Sequence, residues 1–135
     1  QVAKASKTQF LDNVLNKKRY EVAQYYNNRL GELEWVKIPP ENKDMERVYC
    51  LYVIQVEERN RLSAYLSDLG ISTGVHYLPN HHHSFYKNLI KSGKIRVPEV
   101  PVTDKIWERI LDLPLFPELT EKELDYICEA IENFR

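Results

Sequence analysis

The sequence has few cysteines and no excess of charge of either sign. Its two cysteines, Cys50 and Cys128, lie far apart in apolar-periodic segments, so we expect both to be reduced thiols in the core of a cytosolic protein. Lysine and arginine number 19 and acidic residues 20, which gives a net charge of −1. A nucleic-acid-binding surface needs a basic excess or stripe, so we expect no nucleic-acid partner.

Long hydrophobic runs are absent as well. The longest, Val48 to Val56, has about nine residues, whereas a bilayer-spanning helix needs about 20. The N-terminus shows no charged-then-apolar signal pattern, and it lacks an initial methionine, which suggests that the chain was cut from a longer polypeptide. The 135 residues suffice for one domain with a single core. We expect no membrane contact and a cytoplasmic location.

Helical periodicity is clearest at the two ends of the chain. Apolar residues recur at three-to-four spacing through residues 1–30, and Gly31 supplies a stop. Because so long a helix exceeds what a small domain needs, we interpret residues 1–31 as a connector helix to a second domain. Thr120 and Glu123 form a capping box that predicts the start of the last helix.

Residues 32–135 have the pattern of a small α+β domain, with about three short strands packed by helices. Stretches rich in β-branched and apolar residues predict the strands, and helical spacing predicts short helices between them. The predicted strands are Val48 to Val56, Thr73 to Leu78 and Leu111 to Phe116. The predicted intervening helices are 59–69, a short one opened by Phe85-Tyr86 and broken at Gly93, and 104–111, which is capped by Thr103.

All four histidines lie between Gly70 and His83. The predicted strand ends there in a Pro-Asn turn, which presents a row of imidazoles at one rim of the sheet. Such a row suits a polar, anionic ligand or a metal. In any strand, however, neighbours such as His76 and Tyr77 alternate between core and surface, so a purely structural role stays open.

A zinc site built from His81, His82 and His83 would require their rings to converge on one point. Adjacent residues of an extended loop point in different directions, and no carboxylate occurs between His76 and His83. We therefore expect no metal site here, with His82 and His83 at the loop surface. The alternative is that the chain is a stand-alone module that binds a metal or an anion and catalyses no reaction.

Four blocks of sequence carry a resemblance to a known family. They are Ala3 to Leu11, Lys18 to Leu30, Gly70 to Tyr86, and Leu113 to Thr120 with the last helix. Together they resemble the C-terminal part of the DegT/DnrJ/EryC1/StrS family, the pyridoxal-phosphate-dependent aminotransferases of nucleotide sugars. The resemblance implies the small C-terminal domain of a type I aminotransferase fold, without the large domain that binds the cofactor.

The resemblance also implies an activity for the whole enzyme. An amino donor such as glutamate transfers its amino group to pyridoxal 5'-phosphate in the missing large domain, and a nucleotide-diphosphate keto-sugar then accepts the amino group. The whole enzyme is expected to be a homodimer. A sugar dehydratase with the same cofactor is a second possibility, decided by a residue upstream of this chain.

For this chain the resemblance implies a supporting role. It is expected to be inactive alone and to hold no catalytic and no cofactor-binding residue. His76, Tyr77 and His81 are expected to bind substrate, and Arg96, whose guanidinium suits oxyanions, is the fourth predicted contact.

Overall fold

A helical segment opens the described part of the fold. The computed structural model describes residues 11–41, 44, 47–96 and 99–135, so residues 1–10 of the predicted first helix lie outside the described residues. A short π-helical segment, Leu11–Asn16, leads into α1, Lys17–Leu30. The prediction that this helix stops at Gly31 is confirmed, and the Gly31 N–H still donates to the carbonyl of Asn27.

A two-stranded antiparallel sheet lies at the centre. Strand β1, Tyr52–Gln55, pairs with strand β2, Ile110–Leu113, with Tyr52 opposite Leu113. Both strands are shorter than predicted. Residues on β1 alternate between buried and half-buried positions, whereas the last three residues of β2 are all buried, and one of these is the acidic residue Asp112.

The prediction of three strands is wrong, because Thr73 to Leu78 forms a single bridge to the sheet. Gly74 exchanges two backbone hydrogen bonds with Asp112, of 3.2 and 2.8 Å, and no ladder continues beyond them among the described residues. Two residues later the side chain of His76, rather than the backbone, bonds to Asp112. Pro79, which has no N–H to offer a ladder, then begins a turn.

Helix α2, Arg59–Asp68, precedes the histidine-rich segment and fixes the position at which that segment begins. Gly70 follows it with φ of 76°, a conformation that glycine adopts at little steric cost. The Gly70 N–H donates to Ser67 O, and the Ile71 N–H donates to Leu66 O, which together form the Schellman arrangement that ends many helices. Ile71 is thereby buried, and the histidine-rich segment starts from a fixed point of the core.

Two short helices flank the histidine-rich turn. Helix α3, Ser84–Lys91, ends before Gly93 as predicted. Helix α4, Pro101–Trp107, begins three residues earlier than predicted and ends four residues earlier. Proline suits the first helical position, where its missing N–H is not needed. Thr103 is therefore not the cap but a residue of the first turn, and Asp104 lies beside it.

Helix α5, Glu121–Glu132, closes the fold against α1. Its predicted capping box is confirmed, with Thr120 and Glu123 bonded to each other in both directions. Arg29 of α1 makes a two-pronged contact with Glu132, at 3.0 and 2.9 Å, and a third bond to Asp125 at 2.9 Å. Among the described residues, no helix is long and apolar enough to cross a membrane.

The core lies between α1, α2, α5 and the sheet. Its fully buried members include Tyr26, Leu30, Tyr52, Ile54, Leu62, Leu66, Leu111 and Ile131. The buried hydroxyl of Tyr26 donates to the carbonyl of Pro114 at 2.9 Å, which ties α1 to the end of β2. The prediction of two core thiols is confirmed for Cys128 and wrong for Cys50, which is exposed.

The two thiols should differ sharply in reactivity. Burial raises the pKa of the Cys128 thiol to about 12, so almost none of the reactive thiolate forms at pH 8. We expect iodoacetamide to modify Cys50 in the native chain and to modify Cys128 only after unfolding in guanidinium chloride. Mass spectrometry of the labelled peptides measures both sites, and native labelling of Cys128 at the rate of Cys50 would contradict this packing.

Candidate functional site

An open groove of about 480 Å³ lies beside the histidine-rich segment. Its size falls within the range of small-molecule sites. The segment that follows Gly74 forms one wall, and α4 with the start of β2 forms the other. The residues that line it are His76, Tyr77, Leu78, Pro79, Asn80, Val102, Thr103, Ile106, Trp107 and Ile110.

His76 is fixed at this groove by the buried carboxylate of Asp112. The Nδ1 atom of His76 bonds to Oδ2 of Asp112, and the other oxygen, Oδ1, is buried without a hydrogen-bond partner among the described residues. A carboxylate accepts hydrogen bonds, so the imidazole must carry a proton on Nδ1. In the neutral ring Nε2 is then an acceptor, and it is the nitrogen available to a ligand.

Gly74 makes room for this contact. A β-carbon at position 74 would lie 3.0 Å from Cε1 of His76 and 3.2 Å from Oδ2 of Asp112. Both approaches are tighter than ordinary van der Waals contact. The two backbone bonds of Gly74 and the side-chain bond of His76 therefore act together, and all three end on the same residue of β2.

Tyr77 stands at the mouth of the groove and is 76% exposed. Its ring meets the His76 ring edge-on, with 4.6 Å between centroids. Across the groove, Val102 and Ile106 of α4 are also exposed. The mouth is thus an apolar rim around a site whose polar side-chain groups are one imidazole, one phenol, the indole N–H of Trp107 and the side chains of Asn80 and Thr103.

His81 and His82 turn towards α4. Both Nε2 atoms contact Oδ1 of Asp104, at 2.7 and 2.8 Å. The hydrogen bonds from His82 and His81 hold the pKa of the Asp104 carboxyl below its usual value. The expectation that adjacent imidazoles diverge is wrong here, because Asn80–His82 form a tight 3-10 turn rather than an extended loop.

His82 was predicted at the loop surface and instead stacks on the ring of Trp107, with 4.9 Å between centroids. His83 is exposed, as predicted. His81 is half-buried and does not line the groove. Arg96 is exposed and is also absent from the lining. Of the four predicted substrate contacts, the structure brings only His76 and Tyr77 together.

Sequence reasoning missed the two acidic residues that organise the histidines. Asp112 had a signal, since a lone carboxylate in the apolar strand Ile110–Leu113 is rarely buried without a partner. Asp104 had none, because 22 residues separate it from His82 and only the folded chain brings them together.

The groove does not hold the Schiff-base group of a pyridoxal-phosphate enzyme. None of its ten lining residues is a lysine or an arginine, so neither the imine-forming amine nor a strong phosphate ligand is present. The residues that line this groove therefore do not fit a pyridoxal-phosphate site.

A family model for the DegT/DnrJ/EryC1/StrS aminotransferase family matches residues 7–132. The chain belongs to this family. It is 26% identical over 129 residues to the dTDP-3-amino-3,6-dideoxy-alpha-D-galactopyranose transaminase of Aneurinibacillus thermoaerophilus, and the match covers 95% of this chain and 33% of that protein. The resemblance in the four sequence blocks is thereby confirmed.

Solved structures of aminotransferases share the fold. A DegT DnrJ EryC1 StrS aminotransferase from Brucella abortus gives a TM-score of 0.79 at 29% identity, over 96% of this chain and 33% of that chain. The aminotransferase TlmJ from Streptoalloteichus hindustanus gives 0.83 at 20% identity, over 96% and 34%, and bears on the fold alone. The chain spans about a third of the length of these relatives.

The tie between His76 and Asp112 can be measured as a coupling free energy. In a double-mutant cycle of His76→Ala and Asp112→Ala, we expect a coupling of about 0.5–3 kcal/mol in the free energy of unfolding, because either single change leaves the other group unpaired. Urea denaturation of the four proteins measures it. The matched control pairs Asp112→Ala with His83→Ala, which should be additive. Additivity in the His76 cycle as well would contradict the contact.

Proposed function

We propose that residues 32–135 form the small C-terminal domain of a pyridoxal-phosphate-dependent aminotransferase of the type I fold, and that residues 1–31 connect it to the large domain. The domain supplies one wall of the site that binds a nucleotide-linked keto-sugar. The observation that carries this proposal is the groove in which Asp112 holds His76 beside Tyr77. Family membership and the sugar transaminase relative support the reaction class.

The groove offers a sugar nucleotide both polar and apolar contacts. Nε2 of His76 can accept a hydrogen bond from a sugar hydroxyl, and the Tyr77 hydroxyl can donate one to a phosphate oxygen. Leu78 on one wall, and Ile110 and the indole of Trp107 on the other, offer apolar surface against which a ring packs. These contacts allow the groove to position a substrate.

The reacting groups of this proposal belong to polypeptide outside the chain. Pyridoxal 5'-phosphate, held by the large domain, supplies the amino-group carrier, and glutamate is the proposed donor. The role of this domain is to orient the keto-sugar and to exclude water from one side of it. Its exposed apolar rim, formed by Tyr77, Val102 and Ile106, suits packing against the large domain or a second subunit of a homodimer.

Kinetics of the complete enzyme separate substrate binding from cofactor chemistry. His76→Ala and Tyr77→Phe should each raise KM for the nucleotide keto-sugar about tenfold. Each change removes one hydrogen bond to the substrate, and a loss of about 1.4 kcal/mol of binding free energy corresponds to a tenfold weaker affinity. The half-reaction with glutamate, followed through the visible absorbance of the cofactor, should keep its rate.

The control for these variants is Glu129→Gln, an exposed position on α5 away from the groove. It should change neither half-reaction. Arg96→Ala tests the fourth predicted contact in the same assay. If His76→Ala slows the glutamate and sugar half-reactions equally, the variant has lost structure in general. If it slows neither half-reaction, the groove is not part of the substrate site.

Residues 1–135 alone should not form an imine with pyridoxal 5'-phosphate, because no lysine lines the groove. At equimolar cofactor we expect no stoichiometric absorbance band that disappears on borohydride reduction, and no cofactor mass concentrated at any one lysine. A single lysine labelled stoichiometrically by the cofactor and borohydride would contradict the proposed division between the two domains.

A further inference from the structure

We propose that His81, His82 and Asp104 form a binding site for a divalent transition metal of the zinc class. The three side chains come from two elements, the Asn80–His82 turn and helix α4. Their donor atoms, two imidazole Nε2 atoms and one carboxylate oxygen, all lie within 4.8 Å of one another. This site is separate from the groove, whose lining does not include any of the three residues.

The turn explains why two adjacent histidines act together. In an extended strand, neighbouring side chains point to opposite faces, but in a 3-10 turn they are rotated by only about 120°. The long imidazoles of His81 and His82 therefore lie side by side, with 4.3 Å between ring centroids. Both direct Nε2 at the same oxygen of Asp104, which lies in the first turn of α4.

The spacing of the donor atoms is close to that of a metal site. Ligand atoms of tetrahedral zinc, with bonds of about 2.0–2.1 Å, lie about 3.3 Å apart. The two nitrogen–oxygen distances here are 2.7 and 2.8 Å, so each nitrogen–oxygen pair has to open by only about 0.5 Å for a metal to replace the bridging protons. Small rotations of the side chains supply this movement.

The surroundings hold the ligands in place without closing the site. His82 is stacked on Trp107, which limits rotation of its ring. The three side chains are 20–40% exposed, so an ion can enter and water can complete its coordination. Three protein ligands with an open fourth position form a common arrangement for zinc.

The chemistry of the donor set selects the class of metal. Two imidazoles and one carboxylate suit zinc, cobalt or nickel, whereas calcium and magnesium prefer oxygen ligands. With neutral rings the ligands carry one negative charge, which partly balances a divalent cation.

A bound ion would act on the shape of the groove. Asn80 and Thr103, which line opposite walls, are the sequence neighbours of His81 and Asp104, and Trp107 both lines the groove and supports His82. A metal that joins the turn to α4 would therefore fix the distance between the two walls.

Titration of residues 1–135 with zinc chloride, followed by isothermal calorimetry, tests the site without any cofactor or sugar. We expect one zinc per chain, and visible ligand-field bands when cobalt is used in its place. His81→Ala, His82→Phe and Asp104→Asn should each weaken binding by more than about 100-fold, beyond what the loss of an outer-shell partner costs. His82→Phe keeps the ring on Trp107, so it removes the ligand while preserving the packing.

The matched control is His83→Ala, which removes an exposed neighbouring imidazole and should leave zinc affinity unchanged. Circular dichroism establishes that each variant is folded. The proposal is overturned if the parent chain binds no zinc, if folded His82→Phe and Asp104→Asn bind it as tightly as the parent, or if His83→Ala weakens binding as much as they do. None of these results tests sugar binding at His76. The zinc site can therefore be disproved without disproving the proposed substrate site, and the reverse also holds.

Discussion

The histidine-rich segment depends on one buried carboxylate. Asp112 lies in an apolar strand and is 4% exposed, and a charge in that position is costly unless it is paired. Three bonds meet at this residue: its backbone exchanges two with the backbone of Gly74, and its carboxylate accepts one from the ring of His76. Because Asp112 belongs to the central sheet, they join a segment with little regular structure to the most buried part of the fold.

The groove follows from that attachment and from the position of α4. Pro101 starts this helix early enough for Asp104 to face the histidine turn and for Trp107 to reach the groove. The two walls are thus joined twice, through the sheet at Asp112 and through the turn at Asp104. In the proposed function, this double attachment keeps the wall of the groove in place when a substrate binds.

The sequence predicted those helix ends that are fixed by interactions between neighbouring residues. The capping box at Thr120 and the stop after Leu30 depend on neighbouring residues, and both are confirmed. The number of strands could not be predicted, because an alternating pattern specifies extended backbone and not the partner that completes a ladder. His76 was predicted at the site from its motif, whereas Asp112 reaches it across 36 residues of sequence and Asp104 reaches His82 across 22.

The groove depends on Asp112 orienting His76 so that Nε2 is free for a ligand. Long-range ¹H–¹⁵N correlation of the imidazole, at a pH where the ring is neutral and with His76→Ala to assign the signals, measures the tautomer directly. We expect a proton on Nδ1 and an unprotonated Nε2. In Asp112→Ala the signal of the Nδ1 proton should disappear, because the proton then exchanges with water. A His76 ring protonated on Nε2 would contradict this orientation.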